Sequence, residues 1–180
     1  MYRGGRGLKT TANKITMLRV VLIPVFLVLC YTDHRIIALL VFTVASLSDL
    51  LDGYIARHYN QISNFGKFMD PLADKVLVLA AMCFFVDEGQ MPGWALSIIL
   101  FREFAVSGLR LVAAERQHVI AAAWSGKVKT TCTMIGIGPL LVFSQYPWMN
   151  LGISAVIVIV TVYSGAEYFV KNIDVFTDAD

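Results

Sequence analysis

The sequence predicts an all-α, polytopic membrane protein with six transmembrane helices behind a short N-terminal interfacial segment, and three observations carry that reading. Of its 180 residues, 57% are hydrophobic and only 16% charged, and the mean hydropathy of +0.67 lies far from the balance of a soluble domain. Apolar segments recur at about 15–32, 35–57, 71–87, 92–114, 126–146 and 149–170, each close to the roughly 20 residues that one bilayer crossing consumes. The connections between them are short and turn-like, so neighbouring helices are expected to run antiparallel. The length leaves no room for a second domain.

Residues 1–14 are polar and basic, with Gly4, Gly5 and Gly7 among them, and are expected to form a juxtamembrane segment in the headgroup layer. The apolar run after Arg19 superficially resembles a signal peptide. Its C-terminal flank, Cys30-Tyr31-Thr32-Asp33, lacks the small-residue pattern of a cleavage site, so the run is expected to remain as the first span. The six-helix body then covers 15–172, and 173–180 form a cytoplasmic tail. With the N-terminus cytoplasmic, the loops at 58–66 and 115–123 and the C-terminus share that side. Of fifteen Lys and Arg residues only Arg35 lies near an outer loop, while Asp33, Asp87 and Glu88 are outside. That asymmetry supports the orientation.

A formal net charge of +2, spread as single residues beside apolar runs, excludes a nucleic-acid partner. Cys30, Cys83 and Cys132 each sit inside an apolar run and share no ligand spacing; they read as buried small hydrophobes without chemistry.

The informative stretch is Ser48 to Lys75, where four aspartates flank the cytoplasmic end of a helical hairpin. Acids in spanning segments are costly and usually functional. Asp49 and Asp52 are three apart and share a helix face with Gly53 and Ala56, while Asp70 and Asp74 are four apart on the next helix. Antiparallel packing can bring the four together. Ionised carboxylates at a few ångströms repel one another, and divalent cations relieve that repulsion. An all-oxygen donor set suits hard ions such as Mg²⁺ or Mn²⁺ and can hold two of them, an arrangement that clamps a pyrophosphate. Gly53, Ala56 and Gly66 remove bulk where a ligand or a neighbouring backbone comes close, although helix packing alone also uses such residues.

Written out, Asp49-x-x-Asp52-Gly53-x-x-Ala56-Arg57, eight residues, then Gly66-x-x-x-Asp70-x-x-x-Asp74 resembles the signature of the CDP-alcohol phosphotransferase family without departure. The resemblance implies a six-helix, generally dimeric membrane enzyme whose two metal ions bridge the aspartates and the pyrophosphate of a CDP-linked donor. It implies that Asp49, Asp52, Asp70 and Asp74 are metal ligands and that Asp74 is also the general base. Arg57 would offset a nucleotide phosphate, Gly53 and Ala56 would let the cytidine lie against the helix, and Ser63 and Gly66 would line the same CDP site together with Asp52. Upstream, Asn13-x-Ile15-Thr16-x-x-Arg19 is similar to the pattern that opens the family's first span, which implies nucleotide contacts for Asn13 and Thr16. Other roles stay open: Asn13, Thr16 and Ser63 are also ordinary capping residues, and Arg19 could snorkel to the interface.

The aspartate motif does not choose the acceptor. Arg102 and Arg110 lie within the fourth span, and Lys127 and Lys129 open the fifth; such a group of cations suits an anionic ligand, a phosphate dianion in particular. Against that stand pairing of Arg102 with Glu103, snorkelling of Arg110, and lysines that merely mark the inner face. Phe101-Arg102-Glu103-Phe104, Gly108-Leu109-Arg110, Gly126-Lys127-Val128-Lys129-Thr130 and Met69-Asp70-Pro71-Leu72-Ala73-Asp74-Lys75 resemble the phosphatidylglycerophosphate synthase branch of the family. That resemblance implies CDP-diacylglycerol as donor and sn-glycerol 3-phosphate as acceptor, with Arg102, Arg110, Lys127 and Lys129 on the acceptor phosphate. It also implies a homodimer among membrane lipids, its active site facing the cytoplasm, with a bacterial inner (plasma) membrane as the expected location. The rivals are a sibling that uses inositol phosphate or phosphatidylglycerol and, from another class, a transporter. Four aspartates gathered at one membrane face count against a transport path, which needs polar groups at several depths.

Overall fold

In the computed structural model the described backbone covers residues 11–58, 64–115 and 123–173, and side chains are described there except at 11–14, 49–58, 64–68, 70, 71, 74 and 115. All regular structure among the described residues is helical: α1 (Thr11–Tyr31), α2 (Arg35–His58), α3 (Asn64–Asp87), α4 (Gly93–Glu115), α5 (Trp124–Val142) and α6 (Pro147–Lys171). Six helices match the six expected. Their ends differ in an instructive way: α1 starts four residues ahead of position 15 and α3 seven ahead of position 71, whereas α5 stops at 142 instead of 146. Apolar runs mark where a helix is greasy. Backbone hydrogen bonding continues beyond them into polar sequence.

The chain divides into two compact units, Met1–Phe84 and Phe85–Asp180. In the first, α1 packs on α2 through a stripe of Thr16, Arg19, Ile23, Phe26 and Cys30 facing Ala38, Phe42 and Ala45, all buried. The rings of Phe26 and Phe42 lie 5.8 Å apart. From α3, Phe84 meets Tyr31 edge-on at 5.1 Å and receives the Arg35 guanidinium over its face at 5.9 Å. A reversal closes α1 tightly: Asp33 adopts φ 61°, its amide bonds to the Cys30 carbonyl at 3.2 Å and the His34 amide to that of Leu29 at 2.9 Å. These are the paired bonds of a Schellman stop. Arg35 Nε then donates to Asp33 Oδ1 at 2.9 Å.

The second unit opens with the same device. Gly89, at φ 69°, sits where a left-handed residue is needed, with Gly89 N–H on Val86 O at 3.1 Å and Gln90 N–H on Phe85 O at 2.8 Å; glycine alone takes that conformation without steric cost. Pro147 opens α6 at a position where its missing N–H costs no hydrogen bond. α5 and α4 both pack on α6, with Val106, Leu109, Ala113 and Tyr168 forming one buried cluster.

α6 buries a mixed stripe and exposes an apolar one. Asn150, Ser154, Thr161, Ser164 and Gly165 are buried together with Ile157, Val158 and Tyr168, while Leu151, Val156, Ile159, Val162, Tyr163 and Val170 are exposed. In α1 and α2 the outward residues Leu18, Val21, Val28, Ile36, Leu40 and Val44 are likewise apolar. A surface of that kind suits lipid, where packing and polar contacts, not a hydrophobic gradient, hold helices together. Among the described residues one helix, Pro147–Lys171, is long and apolar enough to cross a membrane. α4 falls short of that measure because Arg102, Glu103 and Arg110 interrupt it.

Candidate active site

The aspartate motif falls on two consecutive helices of the first unit, as its spacing predicts. Asp49, Asp52, Gly53, Ala56 and Arg57 belong to α2, and Gly66, Asp70 and Asp74 to α3. Gly66, expected in the loop at 58–66, lies within helix because α3 begins at Asn64, and Asp70 lies on the helix that carries Asp74, as expected. Asp52 is six residues before His58, the end of α2, and Asp70 six after Asn64, the start of α3. The side chains of all eight, with Asn13 and the whole of Ser63, lie outside the described residues.

Beside this motif the described part of the first unit supplies two polar groups from α1. Thr16 and Arg19 are each only 1% exposed, and their spacing of three puts them on one face. Arg19 does not snorkel. Its Nε donates to Ala45 O at 3.1 Å and to Ser48 Oγ at 3.3 Å, and Ser48 Oγ donates to the same carbonyl at 2.7 Å. A guanidinium thus braces the turn of α2 immediately before Asp49. The sequence pattern singled out Arg19, but its destination depends on the α1–α2 register, which no local spacing encodes.

In the second unit the four cations predicted for an anion fare differently. Arg102 Nη1 and Lys129 Nζ both donate to Glu103 Oε1, at 2.9 and 2.7 Å, and the three side chains are 12%, 8% and 13% exposed in the order Arg102, Lys129, Glu103. The pairing that the sequence left open for Arg102 therefore exists, and it includes Lys129. Glu103 leaves this trio with one net positive charge. Arg102 Nη2 also donates to Ser164 Oγ at 2.7 Å. Its stem lies against Gly165, where an added Cβ would come within 3.0 Å of Arg102 Cγ, so a side chain there would compete with the arginine for space. Arg110 Nε donates to the Tyr168 hydroxyl at 2.7 Å, with the guanidinium 5.4 Å from the ring centroid. Lys127 is outside this network, and of the two lysines it is Lys129 that is drawn inward.

Chemically this is a partly neutralised cationic group with donors to spare. Among the described residues Arg102 Nε is buried without a hydrogen-bond partner, and Lys129 has one acceptor, leaving it further N–H groups. Sequence reasoning missed Glu103 as the acid shared by two cations, and Ser164 and Tyr168 as the partners on α6. The last two left a signal in polar side chains four apart inside an otherwise apolar helix.

The aspartate motif lies on α2 and α3 in the first unit, and the Arg102–Glu103–Lys129 group lies in the second. The chain belongs to the CDP-alcohol phosphatidyltransferase family, whose model matches residues 9–164. It is 40% identical to the CDP-diacylglycerol–glycerol-3-phosphate 3-phosphatidyltransferase of Bacillus subtilis (strain 168) over 89% of this chain and 93% of the relative. Identity to a probable phosphatidylglycerophosphate synthase of Mycobacterium tuberculosis is 36% over 89% of this chain and 80% of that one. A Salmonella typhimurium (strain LT2) protein named like the first is 35% identical over 86% of this chain and 90% of its own length.

Proposed function

We propose that the protein is a phosphatidylglycerophosphate synthase, which transfers the phosphatidyl group of CDP-diacylglycerol to sn-glycerol 3-phosphate with release of CMP. The observation that carries the reading is the near full-length similarity to relatives named for that reaction, joined to a buried group of cations suited to an acceptor that bears a phosphate.

The residues divide by chemical role. Asp49, Asp52, Asp70 and Asp74 form an all-carboxylate donor set on two consecutive helices, a set that fits two Mg²⁺ or Mn²⁺ ions. Asp52 and Asp70 stand at matching distances from the facing ends of those helices, which supports such a grouping. Bound there, the ions would neutralise the diphosphate of the donor and the charge left on CMP. Asn13, Thr16, Gly53, Ala56, Arg57, Ser63 and Gly66 are assigned to the CDP moiety, with Arg57 offsetting a phosphate. Arg102, Arg110 and Lys129, with Lys127 at the margin, take the acceptor phosphate. Asp74 accepts the proton of the acceptor's free primary hydroxyl as that oxygen attacks the β-phosphorus. Positioning and charge stabilisation carry most of the catalysis.

The apolar outer faces of α1, α2 and α6 support membrane spans; the bacterial inner membrane, the cytoplasmic termini and active site, and the homodimer are assigned from the resemblance to the family and the distribution of Lys and Arg. CMP release by the purified protein tests the reaction. It should require CDP-diacylglycerol, glycerol 3-phosphate and Mg²⁺ or Mn²⁺ together; equal release with inositol phosphate or phosphatidylglycerol would sink the acceptor assignment. Asp74→Asn should lower turnover by roughly 10²-fold or more while retaining CDP-lipid binding, and ordinary turnover in that variant would remove Asp74 as the base.

A further inference from the structure

We infer that α6 belongs to the acceptor-binding apparatus, with Ser164 and Tyr168 as positioning residues that set the two arginines of α4 at a spacing suited to a phosphate monoester. The inference rests on the proposed function, in which the acceptor bears a phosphate. Arg102 and Arg110 are eight residues apart, about 12 Å along α4, so side chains standing straight out from the helix would not converge on one phosphate. Their partners on α6 are only four residues apart, about 6 Å at the backbone, and come in the same order. Arg102 Nη2 is tied to Ser164 Oγ at 2.7 Å and Arg110 Nε to the Tyr168 hydroxyl at 2.7 Å. These two bonds hold both guanidinium groups on residues of α6 that are one helical turn apart.

Both anchors are buried, Ser164 at 0% and Tyr168 at 2% exposure, and a polar group so placed in an apolar helix is costly unless it is used. Each arginine is held by part of its donor fork, and the rest stays available. Among the described residues Arg102 Nε has no hydrogen-bond partner and Arg110 bonds only through Nε. Lys129, fixed to the same acid as Arg102, adds ammonium donors beside it. A fork already oriented loses less freedom when a phosphate arrives. The competing account makes Ser164 and Tyr168 plain helix-packing contacts, which would affect stability and leave substrate affinity alone.

Two near-isosteric variants of the full-length protein in lipid nanodiscs separate these accounts. Tyr168→Phe keeps the ring and its stacking on Arg110, and Ser164→Ala removes one oxygen. With saturating CDP-diacylglycerol and Mn²⁺, each is expected to raise KM for glycerol 3-phosphate about tenfold, and the double variant more. In each, kcat should stay within about twofold and KM for CDP-diacylglycerol should not move, while loss of one buried hydrogen bond should lower the unfolding temperature only modestly. An unchanged KM for glycerol 3-phosphate in both single variants, or equal rises in KM for both substrates, overturns the inference. If the wild type turns over with inositol phosphate in place of glycerol 3-phosphate, the acceptor identity falls, and the same KM ratios measured with inositol phosphate decide the role of α6. Turnover only with an acceptor lacking phosphate overturns both.

Discussion

The contact between α1 and α2 and the contact of α4 and α5 with α6 are built from opposite materials. The first is a matter of shape: Phe26 on Phe42, with Ala38 and Ala45 admitting the rings and Arg19 at one end. The second adds donors and acceptors to its apolar cluster, with Glu103 between Arg102 and Lys129, and with Ser164 and Tyr168 of α6 bonded to Arg102 and Arg110. In lipid both are workable, because apolar side chains gain little by leaving hydrocarbon for a protein interior and adhesion comes from fit or from polar pairing. The difference lies in what each tolerates. Fit fails gradually as volume is removed, whereas a buried charge network fails when one member leaves the others unpaired.

The largest effect should come from the acid. Glu103→Leu leaves a buried guanidinium and a buried ammonium facing each other, and is expected to cost about 3–5 kcal/mol in denaturant unfolding of the purified protein. Adding Lys129→Met should restore part of that loss, and a double variant no more stable than the single would show that the two cations are not coupled through Glu103. Next comes the aromatic contact, where Phe42→Ala should cost about 2–4 kcal/mol by opening a cavity, and a volume-conserving Phe42→Leu should recover most of it. If leucine were as damaging as alanine, fit would not be what holds α1 to α2. The smallest effect is expected at Lys127, which is outside the network: Lys127→Ala should change stability by less than about 0.5 kcal/mol, while Lys129→Ala, at a position 6% exposed, should exceed it clearly.

The same contrast governs what could be read in advance. Six helices, their order and the aspartate motif on consecutive helices were legible because apolar length and i, i+3 or i, i+4 spacing are local properties. Helix starts were less so. The third apolar run starts at about 71, yet α3 begins at Asn64, since a helix carries on through polar residues once its backbone bonds are in place. Six spans are read from faces and pattern, since among the described residues only α6 meets the hydropathy measure of a span, and the charges that interrupt α4 are held in buried contacts. The cations were recognisable as a group, but not their internal pairing. That Lys129 turns in toward Glu103 depends on where α5 meets its neighbours, and that Arg19 ends on Ala45 and Ser48 depends on how α1 and α2 are offset. Such offsets are long-range facts.

The Schellman stops at Asp33 and Gly89 have a consequence for life at a boundary between oil and water. The final carbonyls of α1 and α3 that Cys30, Leu29, Phe85 and Val86 contribute already hold amide donors from their own turn, so these ends draw less on surrounding solvent than open ones would. When the headgroup layer thins, thickens or dries locally, a helix end finished in this way has less to lose and less reason to fray.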